Sequence, residues 1–304
     1  MTANRIIMTD TRDLGHIDTP VLVFGGVYSN REAFEALIAE AERLAIPPQR
    51  MIHTGDIIAY GADPQACAQM LCDLGCPAIK GNVEQQLADG ALDCGCGFEE
   101  GTGCDLLSAR WYAYASTRVD QDLCAWMGAM PDHIRFEMAG VSIRVVHGAP
   151  SSVNRFLYGP EPDADFLGEL ETVSEDLVIG GHSGFPFFRK LGGQGWLNTG
   201  AVGIPADDGT PRTWYAVLTP QPEGVKIELE ALAYDHAPAI AKLRAEGLPE
   251  PYAIAMEGGP VPNRDTLPAA LQARAGQELS FAPVPFETGG AAASKIQGTS
   301  AVPT

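Results

Sequence analysis

The sequence is short of positive charge: 20 lysines and arginines stand against 39 aspartates and glutamates, a formal net charge of -19 over 304 residues. No basic run occurs anywhere in the chain. Neutralising phosphates takes clustered Lys and Arg, so binding to nucleic acid or to an anionic membrane surface is not expected. The deficit leaves a small phosphorylated substrate open as a partner, because a bound cation inverts the field locally. Uninterrupted apolar runs of about 18 residues are also missing, and no membrane-spanning helix is expected. Residues 1–19 carry scattered charge and lack the apolar core of a secretory signal, which points to a cytoplasmic protein. Cysteines number only seven, an odd count that favours thiols, metal binding or redox chemistry over a structural disulfide framework.

What is present is an alternation of short apolar runs with helical patterns. Residues 20–25 (PVLVFG) read as a buried strand, and Asn30 caps a helix over REAFEALIAEAERLA. A second strand is expected at 50–54, a helix at 64–74 and a third strand at 77–80. Residues 90–104 read as a Gly-rich acidic loop, followed by helices near 105–117 and 120–129. From about 133 the pattern turns to strands: a hairpin at Ala139-Gly140, a helix at 163–172, the run DLVIGG, four more strands and a last helix in DHAPAIAKLRAEG. The layout predicts an α/β fold in four layers, an α/β/β/α sandwich of two mixed sheets with flanking helices. Residues 1–19 are expected as an N-terminal extension and 20–258 as the single domain. Residues 259–304, rich in Pro, Gly and Ala, are expected as a disordered tail.

The chemistry gathers where strands end. Gly55-Asp56, Gly81-Asn82, His147-Gly148 and Gly181-His182 each follow an apolar run, and ligand sites of α/β sheets lie beyond the carboxyl ends of strands. Asp56, Asn82, His147 and His182 would converge there. One carboxylate, one amide oxygen and two imidazoles suit one divalent Mn, Fe or Zn ion per chain. Taken singly, each has a plainer reading: a turn aspartate, a turn asparagine, two core histidines.

The order of these pieces resembles the calcineurin-like metallophosphoesterases, whose pattern runs D-x-H, G-D, G-N-H-D/E, H and G-H-x-H. The matching segments are Gly26-x-Tyr28, Gly55-Asp56, Gly81-Asn82-Val83-Glu84, His147 and Gly181-His182-x-Gly184. GDIIAYGADP at 55–64 and NTGAVGIP at 198–205 add to the likeness, which spans roughly residues 20–232. The resemblance implies a two-sheet fold and hydrolysis of phosphomonoesters or phosphodiesters at two metals. The second-metal ligands fall on Asp56, Asn82, His147 and His182. All three further first-metal positions depart: Gly26, Tyr28 and Gly184 carry no equivalent donors. The histidine associated with the leaving group is Val83. Losses confined to one site point to specialisation more than to decay. They leave a one-metal phosphoesterase or a catalytically degenerate ligand-binding or regulatory module, and the cysteine loop adds a third reading, a redox or metal-handling protein.

Catalytic help in the one-metal case would fall to Tyr28, Glu84 and Arg155. The Tyr28 hydroxyl, with the backbone N–H groups of Gly26 and Val27, could hold an anion or could simply fill vacated space. Arg155 could bind a phosphate oxygen or pair on the surface. His53 could support a ligand or only pack, and His16, His133 and His236 read as surface or edge residues. Cys94, Cys96 and Cys104 cluster after Asn82 and allow three outcomes: buried thiols, a disulfide from Cys94 or Cys96 to Cys104, or a metal site completed by Cys124.

Overall fold

The computed structural model describes residues 10–97, 101–262, 264 and 267–287. Strand β1 is Thr11–His16 and β2 Val21–Phe24; helix α1 (Arg31–Arg43) precedes β3 (Met51–His53), and α2 (Pro64–Leu74) and α3 (Asn82–Asp89) follow. Helices α4 (Gly103–Ser116) and α5 (Gln121–Gly128) lead to β4 (His133–Met138) and β5 (Val141–Val145). Next come α6 (Asp163–Leu170), β6 (Leu177–Gly180), β7 (Pro186–Leu191), β8 (Gln194–Thr199), β9 (Thr213–Gln221) and β10 (Gly224–Leu232). The described chain ends with α7 (Ala237–Ala245), α8 (Glu250–Met256), α9 (Ala269–Gln272) and β11 (Val284–Phe286).

Two mixed sheets result, one ordered β1-β4-β5-β6-β8-β7 and the other β11-β10-β9-β2-β3. Alternation along single strands explains how they stack, because successive side chains point to opposite faces. Val21 and Val23 of β2 join Leu177 and Ile179 of β6 in one apolar cluster between the sheets. Leu22 and Phe24 face the other way, against Phe34 and Leu37 of α1. Val178 of β6 packs outward with Trp196 on Phe166 and Leu170 of α6. The layers are therefore helix, sheet, sheet, helix, as expected.

Helix α1 begins as its sequence predicts, with the Asn30 side chain accepting the Ala33 N–H at 3.1 Å. Four segments differ from the sequence reading. Residues 77–80 make only an isolated bridge, His53 to Ala78, and then give way to α3. The N-terminal segment is not a mere extension, because β1 pairs in parallel with β4. Helix α8 was not legible, and it buries Tyr252, Ala253, Ala255 and Met256. The expected tail is partly folded: β11 pairs antiparallel with β10, and Phe286 is fully buried in the inter-sheet cluster. One aromatic ring at the right register is enough to recruit a Pro/Gly/Ala-rich segment when it removes that much apolar surface from water. The expected tail beyond Glu287 lies outside the described residues.

Candidate metal centre

The four expected ligands come from four chain segments. Asp56 follows β3, Asn82 opens α3, His147 follows β5 and His182 follows β6. All are buried, Asp56 at 5% and His182 at 8% exposure. His147 Nε2 lies 3.1 Å from Asn82 Oδ1, 3.1 Å from His182 Nδ1 and 3.2 Å from Asp56 Oδ2. Gly81 permits this approach: a Cβ there would sit 2.3 Å from Asp56 Oδ1.

Three of the four are held by partners behind them. His147 Nδ1 is 2.7 Å from the Thr54 carbonyl oxygen, which can only accept, so Nδ1 carries the proton and Nε2 presents its lone pair. The Asn82 amide nitrogen donates to the Cys94 carbonyl at 2.8 Å, which turns the amide oxygen inward. Asp56 sits in the left-handed region at φ 62°, and Val27 N–H donates to its carbonyl at 3.1 Å. Strained backbone of this kind persists where neighbours over-determine it. Two oxygens and the His147 Nε2 lone pair thus face one another, with His182 Nδ1 beside them. Such a set repels itself unless a cation or a proton stands among it, and its chemistry fits a divalent metal ion. Among the described residues, Asp56, His147 and His182 form the one group of three or more His, Cys, Asp or Glu side chains able to hold a metal.

The electrostatics agree. Burial lowers the His147 pKa, but the Asp56 carboxylate outweighs it by charge and by accepting a hydrogen bond from a protonated Nε2, so the net shift is upward and a proton can take the cation's place. Burial would raise the Asp56 pKa, yet His147 beside it brings it below the ordinary value. Burial, and then His147, push His182 down to about 3, leaving it a neutral ligand.

The three residues expected to assist are not brought together. Tyr28 lines the site. It is 4% exposed, and its ring lies across Gly26: a Cβ there would be 2.2 Å from Tyr28 Cε1. Its hydroxyl would be 3.3 Å from a Cβ at Gly184. One tyrosine therefore occupies the space toward which side chains at positions 26 and 184 would project. Glu84 faces away from the cavity, fully buried. Its carboxylate accepts N–H groups from Asp56 (2.8 Å), Ile57 (2.9 Å) and Gly81 (2.7 Å). Arg155 turns outward onto α6, pairing with Glu169 and standing 3.7 Å from Asp165. Glu169 also accepts from Ser151 N at 3.0 Å, so this network ties down the loop after His147. The Val27 N–H, bound to Asp56, is not free to hold an anion.

Other departures are local. Cys94 is disulfide-bonded to Cys96, not to Cys104, and Cys104 lines the cavity beside Cys96. No described group joins these sulfurs with Cys124 as a metal site. His53 is fully buried 4.9 Å from the Phe24 ring, a packing residue. His133 is buried in β4, where its Nδ1 accepts from Arg144 at 3.1 Å. Sequence reasoning missed Ser183, Tyr60, Phe156 and Tyr252, all lining the same cavity. Ser183 had a signal, as the residue after His182, and so did Tyr60, inside GDIIAYGADP. The Ser183 hydroxyl accepts from Asn198 Nδ2 at 2.8 Å, which leaves its own proton to donate.

A two-sheet sandwich with a carboxylate, an amide oxygen and two imidazoles at its strand ends is the architecture of a metallophosphoesterase. The chain belongs to the calcineurin-like phosphoesterase superfamily, whose domain matches residues 20–222. It is 24% identical over 251 residues to an uncharacterised protein of Methanocaldococcus jannaschii, covering 77% of this chain and 96% of that one. Its fold is similar to a metallophosphoesterase from Sphaerobacter thermophilus (TM-score 0.61, 20% identity), covering 80% of this chain and all of the other. It is also similar to a hypothetical protein of Pyrococcus horikoshii (TM-score 0.68, 16% identity), covering 80% and 99%. No described helix is long and apolar enough to cross a membrane.

Proposed function

We propose that this chain is a phosphoesterase working with one divalent ion, Mn, Fe or Zn, held by Asp56, Asn82, His147 and His182. The observation that carries the reading is the cluster of acceptors around His147 Nε2, which lies within 3.2 Å of two oxygens. The space beside it is taken by the Tyr28 ring. Bound there, the ion supplies Lewis acidity toward a phosphoryl oxygen. The chain's own groups orient the ester. Ser183 offers a hydroxyl proton toward the cavity. Tyr28 stays neutral, since burial and then nearby Tyr60 and Asp56 raise its pKa well above 10, so its hydroxyl acts as a donor. Both hydroxyls can hold non-bridging oxygens that a second cation would otherwise hold. Glu84 and Arg155 position the ligand loops and touch no substrate.

The absent first-site donors also favour a second reading, a ligand-binding module that keeps the fold and one metal. Elemental analysis with a phosphodiesterase assay separates the two. One metal equivalent is expected, with turnover of an activated phosphodiester that falls at least about 100-fold in His147→Ala and His182→Ala while circular dichroism is unchanged. One equivalent without turnover selects the binding module. No bound metal at pH 7 refutes both.

A further inference from the structure

The cavity that opens on Asp56 and His182 is unusual for a site that would handle phosphate. The space enclosed between its walls is small, about 40 Å³, and reaches about 670 Å³ only when the open mouth is included, so a ligand's ring would lie largely in the mouth. Aromatic rings form its walls: Tyr60 stacks on Tyr252 at 4.6 Å between centroids and 16° between planes, and Tyr28 lies 4.7 Å from Tyr60. Phe156 sits 4.2 Å from the ring of the ligand His182, and Phe185 and Leu107 complete the apolar lining. Among the described residues, none of those lining this space is Lys or Arg. A phosphate bearing two or more charges, or a polyphosphate tail, needs guanidinium or ammonium partners. Here the one anionic side chain in the lining is Asp56, and the whole chain carries -19. The walls instead match a flat apolar group, which gains by offset or edge contact with such rings.

Resting on the one-metal phosphoesterase reading, we propose that the substrate is a singly charged phosphodiester with an aromatic ester group, which enters the slot beside Tyr60, Tyr252 and Phe156. The phosphoryl group lies at the mouth of the site held by Asp56 and His182, where the Ser183 hydroxyl donates to it, and the ring removes its faces from water. Ligand preference is then set by the slot and not by charge.

The test is an NMR titration of the zinc-loaded chain with two unactivated diesters of equal charge, methyl phenyl phosphate and dimethyl phosphate. We expect the phenyl ester to bind at least about tenfold more tightly. Its amide shifts should centre on Tyr60, Leu107 and Tyr252. Leu107→Trp, which narrows the slot from α4, should bring the ratio of the two dissociation constants close to one. The wild-type shift map stands as the readout if that variant does not fold. Equal affinities, or shifts away from these residues, overturn the slot while leaving the metal site and its phosphoester reading intact. If neither ester binds the zinc-loaded chain, the phosphoester reading fails and this inference fails with it.

Discussion

Glu84 gives the sharpest test of how the site is held. Its carboxylate is fully buried and accepts three backbone N–H groups, from Asp56, Ile57 and Gly81. Hydrogen bonds to a charged group contribute about 1.5–3 kcal/mol each, and an orphaned buried donor costs about 1–3 kcal/mol. Glu84→Gln keeps the volume and one oxygen. Oε2 serves Asp56 and Gly81, and Oε1 serves Ile57. The amide nitrogen must then face the Ile57 N–H. One bond is lost outright and two are weakened, roughly 5 kcal/mol together. Part of this returns, because burial and then Asp56 raise the Glu84 pKa to about 7. A neutral amide escapes the burial and repulsion behind that shift. The net loss should therefore fall well below that sum, to about 2 kcal/mol, with metal affinity down by about 10–100-fold, as for groups that orient metal ligands. Glu84→Ala, which orphans all three donors, should cost about 4 kcal/mol or more.

Urea denaturation of the metal-free protein reads the first quantity, at unchanged m-value, and competition with a zinc chelator reads the second. Suppose Glu84→Gln stays within about 0.5 kcal/mol of the parent with unchanged metal affinity, yet loses hydrolysis. Glu84 would then act on the substrate, and its assignment as a positioning residue would be wrong.

Three further outcomes follow from the geometry. Gly26→Ala should destabilise by about 1–3 kcal/mol, because its Cβ would meet the Tyr28 ring at 2.2 Å. In a double-mutant cycle Tyr28→Ala should cancel most of that cost, and strict additivity would show that ring and glycine do not compete. Phe286→Ala should cost about 3–5 kcal/mol as a fully buried ring between the sheets; a loss under about 1 kcal/mol would place β11 outside the cooperative fold. Burial, and then Arg144, lower the His133 pKa from 6.5 to about 4. The unfolded chain therefore binds the extra proton first as pH falls, and stability drops between about pH 6.5 and 4 by up to about 3 kcal/mol. His133→Asn keeps an acceptor for Arg144 and should flatten this part of the stability profile. An unchanged slope would assign the acid sensitivity to other groups.

The fold and the proposed ligands were legible because both rest on short-range patterns. Apolar runs closed by glycine mark strand ends, and polar residues just beyond them mark the site: Asp56, His147 and His182 obey this rule, while Asn82 follows only an isolated bridge and opens α3. What stayed hidden depends on where long side chains turn. Glu84 sits in a motif of chemistry, but α3 begins at Asn82 and places residue 84 at its third position. From there the carboxylate reaches back to Gly81 and Asp56 instead of the cavity. NVEQQLAD has only three apolar residues in eight, too few to announce a helix. Arg155 was drawn away by Glu169, a partner 14 residues on. The aromatic slot was invisible because Tyr60, Phe156 and Tyr252 come from three distant segments.

The first-site departures gain a common cause once the Tyr28 ring is placed. Read singly, Gly26, Tyr28 and Gly184 are three lost donors. In space they are one replacement: the ring covers Gly26, and its hydroxyl comes against Gly184. A side chain at position 26 would overlap the ring, and one at position 184 would crowd its hydroxyl. Once tyrosine stands at 28, glycine at 26 is a steric requirement, whereas Gly184 is favoured by its own φ of 67° and a Cβ there would only press on the hydroxyl at 3.3 Å. The same ring leans on Tyr60 at 53°, and Tyr60 stacks on Tyr252. The ring that fills the space beside Gly26 and Gly184 is therefore also a wall of the aromatic slot. An exchange of one cation for one ring would lower the site's positive charge and raise its apolar surface together. Both changes favour a singly charged ester with a flat substituent over a multiply charged phosphate.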